Sequence, residues 1–114
     1  MGTDCLFCKF VRKEIEPKVV FEDDLVLAFR DIQPQAPVHV LLIPKNHIDS
    51  VSAVPVGSDI VAVLTDRAVQ VAAQLGIARD GFRLVLNEGL NGGQSVPHLH
   101  LHLLGGRPMN WPPG

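Results

Sequence analysis

Three histidines recur at alternate positions near the C-terminus, His98, His100 and His102, with Leu99, Leu101 and Leu103 beside them. In an extended chain successive side chains point to opposite faces, so this spacing puts three imidazoles on one face and three leucines on the other. A single histidine in a strand is most often a packed structural residue. Three groups that titrate near neutrality, crowded on one face, are costly without a use for them. One metal ion cannot take all three, because His98 and His102 lie about 13 Å apart along a strand. A division of labour remains: one nucleophile or base, one acid, and one structural or metal-bound partner.

Directly before this run stands Asn87-Glu88-Gly89-Leu90-Asn91-Gly92-Gly93-Gln94-Ser95. Glycines let backbone N–H groups turn toward an anion, and Gln94 and Ser95 add polar groups beside the histidines. Glycine and asparagine are also common in ordinary hairpin loops, so the stretch by itself is weak evidence. Ending at the three histidines, it becomes a credible phosphate cradle. Neither lysine nor arginine occurs from Leu84 to Gly106. Neutral donors suit one or two phosphate oxygens better than a triphosphate with its magnesium, and the Gly-Lys-Ser/Thr of a P-loop is absent.

Cys5 and Cys8, the two cysteines of the chain, form a Cys-x-x-Cys pair. In a reducing compartment such a pair reads as a metal clip or a redox site, not as a structural disulfide. Its spacing is one that zinc uses, and the chain has histidines to spare. Thioredoxin-like chemistry needs a βαβ setting that the start of this chain lacks. His39 sits on an apolar run that can lie beside the histidine strand; by itself it reads as readily as a packed core histidine.

The elements that must position these groups follow from pattern. Cys5 to Arg12 can form a short helix carrying the cysteines. Val19–Glu22 and Leu25–Arg30 are β-rich runs separated by Asp23-Asp24, a hairpin signal. Val38–Ile43 is an apolar run fenced by Pro37 and Pro44, the length of a buried strand. Ser58 or Asp59 can cap a helix that runs to about Leu75 and stops at Gly76. Its apolar face comprises Ile60, Val63, Leu64, Val71, Ala72 and Leu75. Phe82–Leu86 and Val96–Leu104 are two further strands around the Gly-rich connection. Short turns favour antiparallel pairing, and one long helix between two groups of strands predicts an α+β fold. One sheet covered by one long helix leaves edges and faces exposed, for which dimerisation is a natural remedy.

Size and composition agree. The 114 residues allow one domain, with no internal repeat or linker. A chain of this length buries roughly two-thirds of its unfolded surface, so its core needs no disulfides. A hydrophobic fraction of 46% with 19% charged residues is globular composition. A net charge of −2 argues against general affinity for nucleic acid. No apolar stretch is long enough to span a membrane. Met1 to Leu6 carries no basic region followed by an apolar run, which makes the cytoplasm the expected compartment.

Gly93-Gln94-Ser95-Val96-Pro97-His98-Leu99-His100-Leu101-His102-Leu103-Leu104 resembles the signature of the histidine triad (HIT) family. Asp31-Ile32, Pro34-Gln35-Ala36-Pro37 and Ile43-Pro44-Lys45 with His47 are similar to that family's nucleoside-binding and central-strand regions. Gly105-Gly106-Arg107 and Trp111-Pro112-Pro113-Gly114 resemble the Hint branch, the histidine triad nucleotide-binding proteins that hydrolyse purine nucleoside phosphoramidates. The resemblance covers nearly the whole chain. It implies a HIT-like fold over residues 1–114, a five-stranded antiparallel sheet with one long and one short helix, and a C-terminal tail, residues 105–114, near the active site.

By that resemblance His100 is the nucleophile, forming a nucleotidyl-histidine that water resolves. His102 and Asn87 would hold phosphate oxygens, with Gly93, Gln94 and the N–H groups of Ser95 and Val96 around them. Ser95 or a neighbour would assist departure of the amine, and His39 would lie near His100. Phe7, Phe29, Asp31, Ile32 and Leu41 map onto the nucleoside pocket, Asp31 taking the ribose hydroxyls. Cys5, Cys8, His47 and His98 correspond to the ligands of a zinc site found in some family members; four protein ligands make it structural. No organic cofactor is implied. The expected partners are a purine nucleotide, an AMP or GMP conjugate, and a second copy of the chain in a homodimer. Hydrolysis of dinucleoside polyphosphates and a non-catalytic nucleotide-binding scaffold are the competing readings. Nucleotidyl transfer is disfavoured because such relatives carry Gln where this chain has His102.

Overall fold

A computed structural model of the protein describes residues 5–114, so Met1–Asp4, part of the stretch inspected for a secretion signal, lies outside the described residues. Five strands, β1 (Val19–Glu22), β2 (Val26–Arg30), β3 (Val38–Pro44), β4 (Phe82–Leu86) and β5 (Leu101–Gly105), form one sheet in the order β1-β2-β3-β5-β4. Every neighbouring pair is antiparallel, as the short connections required. The Asp23-Asp24 turn forms because the Asp23 carboxylate accepts the Leu25 and Val26 amides, both at 2.9 Å, which starts β2 one residue later than the sequence pattern suggested.

The long helix, α2 (Ile60–Gln74), covers one face of the sheet. It opens where the Ser58 hydroxyl accepts the Ile60 amide at 3.2 Å, and it closes at Leu75 with Gly76 at φ +79°. Leu64, Ala68, Val71 and Ala72 are fully buried against Val26, Ala28, Val40, Leu42, Leu99, Leu101 and Leu103. Period two in the strands sends their alternate residues to the other face. There Leu27, Phe29, Leu41 and Ile43 pack with Cys5, Phe7 and Cys8 of the short helix α1 (Leu6–Val11) and its N-terminal residue. Cys5 caps α1 by accepting the Cys8 amide on its sulfur at 3.4 Å.

Two expectations need correction. The histidine strand was read as Val96–Leu104, but the ladder starts only at Leu101. His98 lies in a bend and His100 in irregular chain before it, where Leu99 N–H donates to the Ile48 carbonyl at 2.6 Å and His98 N–H turns back to the Val96 carbonyl at 2.8 Å. Alternation survives this: Leu99, Leu101 and Leu103 are all buried under α2. The Gly-rich connection, in turn, contains one helical turn, α3 (Gly89–Gly92), closed by Gly93 in the left-handed region at φ +79°. Among the described residues no helix is long and apolar enough to cross a membrane.

Candidate functional site

β5 lies between β3 and the edge strand β4, and its register fixes the site. Leu41 of β3, His102 of β5 and Val85 of β4 form one cross-strand row; His39, Leu104 and Arg83 form the next. These residues face away from α2, so His39 and His102 share the face that α1 covers at its other end. Their rings touch at 5.2 Å between centroids, and the rings of His100 and His102 at 5.0 Å. The structure therefore gathers His39, His100 and His102.

Hydrogen-bond direction assigns each ring its proton. His100 Nδ1 lies 2.7 Å from the carbonyl oxygen of His98. A carbonyl only accepts, so the hydrogen sits on Nδ1 and the Nε2 of His100 carries the lone pair. The Phe7 ring stands edge-on to this imidazole, centroids 5.2 Å apart, and limits its rotation. His39 is set from the opposite side. The Gln35 amide donates to its Nδ1 at 3.0 Å, which puts the hydrogen on Nε2, 2.9 Å from His102 Nδ1. His102 then accepts on Nδ1 and holds its own hydrogen on Nε2. Burial keeps both rings neutral: it lowers His39 from its ordinary value against the pull of Asp31, and it lowers His102 to about 4. One imidazole with a bare Nε2 thus stands beside one with a protonated Nε2.

Two compact clusters of metal-ligand types occur among the described residues, Cys5–Cys8–His47–His98 and Asp31–His39–His102. In the first, His98 Nδ1 is 3.4 Å from Cys5 Sγ and 3.6 Å from Cys8 Sγ, and His47 Nδ1 is 3.2 Å from Cys8 Sγ. Ligands bonded to zinc at its usual lengths lie about 3.3–3.8 Å from one another in a tetrahedron, so the set has the right size. The far nitrogens agree. His98 Nε2–H donates to the Pro44 carbonyl at 2.9 Å, and His47 Nε2 faces the Asp49 carboxylate at 2.7 Å, so both Nδ1 lone pairs point at the sulfurs. Burial lowers His98 to about 4 and raises the Cys8 thiol, with Cys5 adding to the rise. Two soft thiolates and two imidazoles fit zinc.

The second cluster is equally compact but differently wired. Asp31 Oδ2 is 3.5 Å from His39 Nε2, yet the Gln35 amide occupies His39 Nδ1 and leaves the hydrogen on the nitrogen a metal would need. It is a hydrogen-bond relay. Asp49 and the Gln35 amide were missed in the sequence. The first was findable as a carboxylate two residues after His47; a backbone donor leaves no compositional trace.

The remaining candidates divide into floor and rim. Phe7, Phe29 and Leu41 are buried with the cysteines, whereas Ile32 stands 89% exposed beside Asp31. Asp31 Oδ1 accepts the Gln33 amide at 2.8 Å, which turns the loop. The amides of Gly93 and Gln94 bond to the Leu90 and Gly89 carbonyls, and the Asn87 side chain donates to the Gly92 carbonyl at 2.7 Å. The Gln94 side chain accepts from Gly89 N–H and donates to the carbonyls of Asp49 and Val96. These three residues shape the loop that ends at exposed Ser95 and half-buried Val96.

Comparison with known proteins agrees with this geometry. The HIT domain family matches residues 12–109. The adenylylsulfatase HINT1 of Arabidopsis thaliana is 54% identical over 96% of this chain and 76% of its own length. The purine nucleoside phosphoramidase of Escherichia coli is 46% identical over 96% of this chain and 92% of its own. The crystal structure of a HIT family hydrolase from Legionella pneumophila superposes with a TM-score of 0.94 at 53% identity, covering 97% of this chain and all of that one (100%). With its histidine register, its sheet order and these relatives, the chain belongs to the histidine triad family, on the Hint branch.

Proposed function

We propose that this protein is a hydrolase that cleaves purine nucleoside 5′-phosphoramidates, or related nucleotide conjugates, to the nucleoside monophosphate. The observation that carries the reading is the His98 carbonyl on His100 Nδ1 at 2.7 Å, which leaves Nε2 as a nucleophile. In the first step the Nε2 lone pair bonds to the α-phosphorus while the P–N bond breaks, its electron pair leaving with the amine nitrogen, which takes up a proton. Ser95, which is exposed, would assist that transfer. In the second step water bonds to phosphorus, the electrons of the P–Nε2 bond return to His100, and the nucleoside monophosphate leaves. The Nε2–H of His102, Asn87 and the Ser95 and Val96 amides hold phosphate oxygens as charge develops. Gly93 and Gln94 hold those amides in place. Asp31 binds the ribose hydroxyls, and Phe7, Phe29, Leu41 and Ile32 flank the base.

Cys5, Cys8, His47 and His98 would hold a structural zinc ion, whose chemistry is that of a crosslink between α1, the segment after β3 and the segment before β5. Free thiols there suit a reducing compartment, in line with a cytoplasmic protein. The outer edge of β4 has no strand partner among the described residues, which supports a homodimer. The activities for which two relatives are named differ, adenylyl sulfate in one and phosphoramidate in the other, and both leaving groups depart from the α-phosphorus of a nucleotide.

The test offers adenosine 5′-phosphoramidate, adenylyl sulfate and diadenosine tetraphosphate separately and follows AMP release. Rapid cleavage of the phosphoramidate, lost by about 10⁴-fold or more in His100→Ala, is the expected result. Preference for the dinucleotide moves the chain to polyphosphate hydrolysis, and tight binding without turnover makes it a nucleotide-binding scaffold.

A further inference from the structure

The loop after β2 and the tail after β5 meet at one point. Gly106 has φ +91°, and a Cβ there would come within 2.9 Å of Pro37 Cβ, so glycine lets the tail pass against the loop. The next residue, Arg107, donates from its guanidinium to the Gln35 carbonyl oxygen and to the Pro108 carbonyl oxygen, each at 2.9 Å. Gln35 is the residue whose amide donates to His39 Nδ1 at 3.0 Å, and His39 Nε2 lies 2.9 Å from His102 Nδ1. A directed chain therefore runs from Arg107 through both peptide groups of Gln35 to His39 and His102.

Its direction has a chemical meaning. An amide hydrogen cannot accept, so the Gln35 N–H excludes the Nδ1–H tautomer of His39. Take that donor away and His39 can carry its hydrogen on Nδ1 and offer a lone pair at Nε2. The His39–His102 hydrogen bond then reverses, with the hydrogen on His102 Nδ1, and His102 loses the Nε2–H it turns toward the substrate. The bond made by one ring nitrogen decides the state of the other, and a wrong tautomer in an otherwise intact site is severely damaging.

We propose that Arg107 and the Gln35 backbone amide form a latch that fixes the tautomer of His102, which makes the tail residue Arg107 a positioning residue for the reaction. The latch rests on the hydrolase reading for its effect on rate, but its effect on the rings is independent of that reading. Gln35→Pro deletes the amide hydrogen directly, Arg107→Ala frees the Gln35 carbonyl, and Arg107→Lys restores one donor to it.

Each variant is compared with the wild type by ¹⁵N–¹H spectra of the histidine rings and by kcat and KM for adenosine 5′-phosphoramidate. The wild type is expected to show His39 and His102 each as a single Nε2–H tautomer. Gln35→Pro should mix the tautomers of both rings and lower kcat by about a hundredfold, with KM within about twofold. Arg107→Ala should lower kcat by about fivefold, the worth of one ordinary hydrogen bond, and Arg107→Lys should recover most of it. A wild-type His39 with its hydrogen on Nδ1, or a Gln35→Pro protein whose His102 keeps one Nε2–H tautomer, overturns the latch. If Gln35→Pro does not fold, Arg107→Ala decides, and unchanged ring spectra with unchanged kcat overturn it. If the wild type turns over none of the nucleotides, the hydrolase reading falls and the ring spectra alone judge the latch.

Discussion

His98 serves His100 and the cysteines at once: its carbonyl accepts from the His100 ring at 2.7 Å, while its own ring faces Cys5 and Cys8. The metal-ligand cluster and the candidate nucleophile are thus two residues apart and mechanically connected. Cys8→Ala should reduce bound zinc from about one per chain to under a tenth, measured by elemental analysis without chelator. It should also lower stability by about 4 kcal/mol when free zinc exceeds Kd a thousandfold. His100→Ala, by contrast, should keep its zinc and lose its turnover.

Stability should fall on the acid side of neutrality. His102 is lowered from 6.5 to about 4 in the folded chain, chiefly by burial, and burial lowers His39 in the same direction. Above 6.5 the rings are neutral in both states and contribute no pH dependence. Below it the unfolded chain binds protons that the folded chain refuses, so unfolding is favoured until the pH passes the folded value. For His102 the loss by pH 5 is roughly 2 kcal/mol. Urea unfolding at pH 7 and pH 5 measures it, and His102→Gln should narrow the difference by its own share, leaving that of His39 and His98. Equal stability of the wild type at the two values would contradict the neutral relay.

Two glycines with left-handed backbone separate strain from crowding. At Gly76, φ +79°, an added Cβ meets nothing within 4 Å, whereas at Gly106, φ +91°, it meets Pro37 at 2.9 Å. Gly76→Ala should cost about 1 kcal/mol of backbone strain. Gly106→Ala should cost more, about 2–3 kcal/mol, because the tail must also leave the loop. Denaturant midpoints for the two variants provide the comparison.

Gln94 binds at both ends of its amide, to Gly89 N–H on one side and to the Asp49 and Val96 carbonyls on the other. Gln94→Ala should cost about 1–2 kcal/mol. Because the residue braces the loop that carries Ser95 and Val96, its loss should show as a weaker reaction and not an absent one. We expect kcat/KM for the phosphoramidate to fall about tenfold. An unchanged kcat/KM would mean that the loop keeps its shape without this side chain.

Much of this was legible because it rests on local pattern. The Asp23-Asp24 turn, the Gly76 stop and the leucines alternating with the histidines each follow from one residue's backbone preference or from period two. The ladder's late start at Leu101 was not legible, since an extended segment that bonds to Ile48 and one that bonds to a neighbouring strand share one hydrophobic pattern. The family resemblance pointed to Cys5, Cys8, His47 and His98 for a metal, but no pattern in the sequence showed that Asp31, His39 and His102 would form a second compact cluster or why it is wired differently. That difference lies in the Gln35 amide and the Pro44 carbonyl, groups that every residue carries and no alphabet records.

The placement of β5 also dictates when the molecule becomes competent. The last strand in the chain is seated between β3 and β4, both already made, so the sheet remains split until residues 101–105 arrive. A nascent chain leaving the ribosome displays Asp31 and the relay member His39 long before it owns His100 or His102. Closing the sheet and seating His102 beside His39 are therefore one event, and a chain cut short before that strand has neither.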